Sequence, residues 1–130
     1  MTKNRRDYAR YTLAAIRLFN GAAALLAPRV MLRRLGTDPD LNPAAIYALR
    51  LFGIRTVLIG LDLLRLEGDD LEQALRTGVL IHTSDALTAA SAGVHRRLPA
   101  QAAAMATAIS SLNILLALAA LPGKPPDKPA

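Results

Sequence analysis

At 130 residues, 52% of them hydrophobic and none of them cysteine, the chain has room for one domain and excludes disulfide frameworks, thiol nucleophiles and thiolate metal sites. Lys and Arg outnumber Asp and Glu by 16 to 10, giving a net charge of +6. The cations are spread over termini, loops and apolar segments with few aromatics between them, which excludes a nucleic-acid interface and points to anionic phospholipid headgroups.

With two Phe, three Tyr and no Trp, little favours strands, and the expected class is all-α. Residues 1–10 read as a basic N-terminal arm. Asp7, Arg10, Arg17 and Asn20 interrupt any cleavable leader pattern, so Tyr11 to Pro28 reads as the first long helix, with a basic flank. Pro28 should bend or stop it, since proline lacks an N–H and clashes with the preceding turn. Arg29 to Leu35 sets Val30, Met31, Leu32 and Leu35 against Arg29, Arg33 and Arg34, the pattern of a short helix lying in the headgroup plane. Gly36 and the run Thr37–Asp40 are turn chemistry.

The second long helix starts at Pro43 behind an Asn42 N-cap and runs to Leu66. Asp69 or Asp70 caps the third, Leu71 to Gly93, and the fourth runs from Pro99 to Leu121 with no charge between Leu98 and Gly123. Residues 122–130 form a proline-rich tail expected to be disordered. Each long stretch approaches the roughly 20 residues that span a bilayer core. The expected architecture over 11–121 is therefore an integral membrane four-helix bundle, up-down-up-down because the later connections are short. A soluble bundle would fit the modest mean hydropathy of +0.27. It would also need a broad polar face on each helix, and Phe52 to Leu66 offers mainly Arg55, Asp62 and Arg65. Lys3, Arg5, Arg6, Arg10, Arg65, Lys124 and Lys128 on the side of the termini outnumber the basic residues opposite. Both termini are thus expected on the cytoplasmic side of the plasma membrane.

Ionisable and amide side chains sit inside these stretches: Arg17, Asn20, Arg50, Arg55, Asp62, Arg76, His82, Asp85 and Asn113. They form the expected polar interior and the candidate ligand-binding set. Small residues accompany several of them at helical spacing, as in Gly78, His82, Asp85, Ala89 and Ala92, which predicts helix-facing stripes. Gly53, Thr56 and Gly60 make another such seam. Counted by rise per residue from the terminal side, Arg17, Arg76 and Asp62 lie roughly 6–10 Å deep, and Asp85 with Arg50 about 22–24 Å deep. Asp62 is thus expected to meet Arg17 or Arg76, and Asp85 to meet Arg50 or Arg55, with His82 alongside. Such pairs could do no more than fix helix register. Four arginines against two aspartates would also leave positive charge for a lipid phosphate or a quinone carbonyl to meet, and His82 could relay protons. His82, Ser84 and Asp85 share one short helical run and make no triad, and a third metal ligand is lacking, so no catalytic and no metal site is expected.

The segments FNGAAALLAP (Phe19–Pro28), LGTDPD (Leu35–Asp40), LRLFGIRTVLIGLDLL (Leu49–Leu64) and HTSDAL (His82–Leu87) give the chain a resemblance to small four-helix bacterial membrane proteins, DoxX-like or otherwise uncharacterised. That resemblance implies a four-helix membrane fold with inward polar residues, matching Arg55, His82 and Asp85. It also implies a link to quinone or thiol oxidation, of which the thiol half has no cysteine to use. The expectation is a non-enzymatic membrane protein that binds lipid or a protein partner, as a homo-oligomer or with another membrane protein, with no obligatory cofactor. The alternatives are a quinone-binding redox accessory and a small oligomeric transporter with Asp85 as its coupling carboxylate.

Overall fold

The computed structural model describes residues 2–123 and 129, and the regular structure of the described residues is entirely helical: α1 (Lys3–Leu26), α2 (Pro28–Arg34), α3 (Pro43–Arg65), α4 (Gly68–Val94) and α5 (Ala100–Ala120). Most of the expected tail, Lys124–Lys128 and Ala130, lies outside the described residues. Helix boundaries follow local chemistry. Pro28 opens α2 and turns it 104° from α1. Gly36 then adopts a positive φ of 76°. A Cβ there would come within 2.7 Å of the Pro99 ring, so glycine is needed for closeness as well as for the turn.

Asn42 occupies the N-cap of α3, but its amide donates to the Asp38 carbonyl at 3.0 Å and makes no cap hydrogen bond. In the same turn Arg29 pairs with Asp40, and the guanidinium holds that exposed carboxyl below its ordinary range. Asp69 and Asp70 fall in the first turn of α4 instead of capping it; Glu67 holds the N-cap position. They still face the positive end of the helix dipole.

One expectation is corrected at the N-terminus. Residues 1–10 do not form a separate arm, because α1 already begins at Lys3 and Arg10 is buried. The Arg10 guanidinium donates to the carbonyls of Leu63, Leu64 (3.2 Å) and Leu66 (2.8 Å). These carbonyls lie at the C-terminal end of α3, where helix geometry leaves acceptors unmatched and the dipole is negative. Arg10 therefore ties the first helix to the end of the third.

Helix pairs form by close approach of small residues. α1 runs antiparallel to α3, with Leu18 beside Gly60 and Gly21 beside Gly53. A Cβ on Gly53 would stand 2.7 Å from both the Gly21 carbonyl and the Leu25 amide, so the two backbones touch. α4 packs along α5, with Gly93 against Ala103. The pairs join mainly through α1 and α5, over a dry cluster containing Leu13, Ala14, Leu63, Leu75 and Ala117. α3 and α4 touch sparsely.

Two of the four expected membrane stretches, α3 and α5, are long and apolar enough to cross a bilayer as single helices. α1 reaches that standard only together with α2, as a bent pair. α4 does not: beyond its charged first turns, residues 77–94 carry His82, Asp85 and several Thr, Ser and Gly, which leave even this stretch too polar. Away from its partners α3 exposes Leu58, Leu61 and Leu64, and α5 exposes Leu112, Leu115 and Leu118.

Two predictions follow from this packing. Gly53→Ala should cost about 1–3 kcal/mol by overpacking a backbone crossing. Gly78→Ala, whose added Cβ would meet only the His82 ring, Nε2 at 3.8 Å and Cδ2 at 4.0 Å, should be neutral or stabilising. Unfolding midpoints of the two variants in one detergent check the order. For Arg10, replacement by Lys should lose most of the cap, since an ammonium cannot fork across three carbonyls. The expected loss is about 1.5–3 kcal/mol, seen with faster amide exchange in the last turn of α3.

Candidate functional site

Four polar residues from four different helices are withdrawn from the surface near one level of the molecule. Arg17 is 4% exposed, Thr56 1%, His82 1% and Asn113 2%. Their common level follows from the packing. Each lies one to two turns from the dry cluster on its own helix, measured from Leu13, Leu63, Leu75 and Ala117. Antiparallel helices advance equally, so the contact of Gly93 with Ala103 also brings Asn113 level with His82. Arg17 Nη2 donates to Thr56 Oγ1 across the α1–α3 seam at 3.4 Å. The same guanidinium lies within Coulombic reach of His82 and of Asp85.

The layer is undersupplied with partners. Five buried side-chain nitrogen and oxygen atoms lack a hydrogen bond among the described residues, and four of them belong here: Arg17 Nε, both ring nitrogens of His82 and Asn113 Oδ1. The fifth, Arg6 Nε, is elsewhere. His82 Nδ1 stands 4.0 Å from Asp85 Oδ2, too far for a hydrogen bond. Native interiors normally satisfy such groups, so four together need an explanation. Chemically the layer offers N–H donors from Arg17 and one His82 nitrogen, and acceptors from the other His82 nitrogen and Asn113. Asp85 has a side chain 41% exposed and marks where the layer meets the outside.

The remaining expected site residues fall elsewhere. Asn20 is half-buried beside the layer's helix seam. Asp62 pairs with Arg65 one turn along its own helix at 2.6 Å, and not with Arg17 or Arg76. Arg76 is exposed and pairs with Glu72, again at 2.6 Å. Arg50 and Arg55 are exposed on α3 and do not meet Asp85. For Asp62 and Arg76 the physical reason is locality, since partners at i+3 and i+4 are already in reach, whereas Arg50 and Arg55 lie off the packed face of α3. With three arginines outside, the expected excess of positive charge in the interior is gone. One cation and one carboxylate remain at the layer, with an imidazole and an amide.

Sequence reasoning assigned Thr56 to a packing seam and Arg10 to a basic N-terminal arm. Arg10 was accessible to the same periodicity that marks Arg17, since Arg10, Leu13, Arg17, Gly21 and Ala24 all fall on the buried side of α1. Comparisons with protein families, with curated proteins and with solved structures find no match to the chain.

Proposed function

We infer that the chain is a small integral membrane protein without catalytic activity of its own, which binds the polar head of a lipid-soluble molecule at the layer formed by Arg17, His82 and Asn113. The single observation that supports this reading is the group of four unpartnered polar atoms at one buried level. Their mixture of donors and acceptors, with Arg17 offset by Asp85, suits a neutral head bearing carbonyl or hydroxyl oxygens, such as a lipid ester or a quinone. Entry would be from the side on which α3 and α4 touch sparsely and Asp85 is half-exposed.

The reading takes the four long helices as an up-down-up-down bundle in the plasma membrane, with termini on the cytoplasmic side and the apolar faces of α3 and α5 toward lipid. α4, the most polar of the four, would be shielded by its neighbours or by a further copy of the chain. The DoxX-like resemblance fits this arrangement.

Native mass spectrometry of the full chain in a mild detergent tests the proposal. The wild type should retain an adduct of lipid or quinone mass, and His82→Leu with Asn113→Leu should lose it while helical content is unchanged. Replacing an unused buried polar pair by leucines is often stabilising. An adduct-free wild type, together with a double variant that melts higher, would therefore remove the binding role. An adduct of quinone mass with a matching ultraviolet band would favour the redox-accessory reading over the lipid one.

A further inference from the structure

The end of the molecule opposite the start of α1 and the end of α5 carries a second arrangement with its own chemistry. The 104° bend at Pro28 lays α2 across this end, and Gly36, just after α2, packs on Pro99, which precedes α5. That contact brings Arg33 and Arg34 to the same end as Arg96 and Arg97 of the α4–α5 turn. All four are exposed, and none forms an ion pair among the described residues. The nearby carboxylates are occupied: Asp40 by Arg29, with Arg33 in Coulombic reach, and Asp38 by the Asp40 N–H at 2.9 Å.

Between α4 and α5, and ending at this turn, runs an open apolar groove of about 490 Å³, lined by Ala90, Gly93, Val94, Ala100, Ala104 and Ala108 among others. The backbone of the turn adds an independent observation. Arg96 has φ of 56°, the one positive value at a non-glycine residue among those described. It occupies the left-handed position that closes α4, where the Arg97 N–H returns to the Ala92 carbonyl at 2.8 Å. Glycine takes this position at far lower conformational cost. A long cation stands at a site where the backbone favours glycine, and such local strain gathers at functional positions.

We propose that this end binds an anionic phospholipid, its phosphate held by Arg33, Arg34, Arg96 and Arg97 and one acyl chain lying in the groove between α4 and α5. Guanidinium groups match phosphate oxygens in planar, bidentate fashion. The groove's mostly alanine lining gives an alkyl chain close contact, and its one hydroxyl, Thr107 Oγ1, already donates to the Ala103 carbonyl at 2.7 Å. The site is separate from the layer around His82 and depends on bilayer residence, not on what that layer binds.

The test uses the full chain purified in an uncharged detergent, with thermal unfolding followed on addition of short-chain phosphatidylglycerol, phosphatidylcholine or glycerol phosphate. Phosphatidylglycerol should raise the midpoint in a saturable way, and the other two should not. Arg96→Gly should keep or raise the ligand-free midpoint, because it relieves the backbone, and yet weaken phosphatidylglycerol binding. Arg33→Gln with Arg97→Gln should weaken it roughly tenfold or more. Ala104→Phe, which fills the groove from an exposed position, should do so with all the arginines in place. An equal response to phosphatidylcholine, an equal response to glycerol phosphate, or undiminished phosphatidylglycerol binding in Arg96→Gly and Ala104→Phe would each overturn the assignment.

Discussion

The contact between Gly21 and Gly53 sets how near α1 and α3 lie, and the polar layer depends on that distance. With either Cβ in place the backbones would have to separate, since the added atom would sit within 3 Å of main chain on the facing helix. At the observed spacing Arg17 reaches Thr56 directly and is withdrawn from the surface. Arg10, two turns earlier on the same face, reaches the end of α3 for the same reason. Two arginines on one helix thus serve the fold differently. One closes the carbonyls of a neighbouring helix, and the other sits among imidazole, amide and hydroxyl groups with part of its hydrogen-bonding capacity unused.

That unused capacity gives the interior its meaning. Leaving a buried donor or acceptor unmatched costs on the order of 1–3 kcal/mol per group, so four at one level form a substantial debit against a domain's usual margin. Hydrophobic residues of similar volume would make a quieter core. Polar residues at positions 17, 82 and 113 are what the proposed binding role accounts for, with Asp85 half-exposed beside them. In the turn between α4 and α5, Arg96 holds a cation at a position where the backbone would be easier as glycine.

Much of this was legible in the residues and some was not. Pro28, Gly36 and Pro43 mark breaks that the structure keeps, and the Gly53–Thr56–Gly60 seam is the buried face of α3. His82, Asn113 and Arg17 were recognisable as polar residues on small-residue stripes. Partner choice was not legible, because a charge inside an apolar run can be answered by a carboxylate one turn away, as at Asp62 and Arg76, or by main-chain carbonyls, as at Arg10. Periodicity carries neither alternative. The exposure of Arg50 and Arg55 was equally hidden, since it follows from α3 having one packed face, which is a tertiary fact. The start of α1 at Lys3 was masked by the dense charge of its first turns, although the buried stripe continues through Ala9 and Arg10.

The account rests on hydrocarbon lying against the outward leucines of α3 and α5, and the cysteine-free chain permits a direct measurement. Leu112→Cys lies near the middle of α5 on its exposed side, and Gly123→Cys lies beyond its end. A thiol in hydrocarbon stays protonated and unreactive, whereas one in water supplies thiolate. In alkaline-washed membranes a polar maleimide should label Gly123→Cys, and should label Leu112→Cys only after the bilayer is dissolved and the protein denatured. Release of the chain into the wash, or labelling of Leu112→Cys as fast as Gly123→Cys in intact membranes, would contradict the central claim.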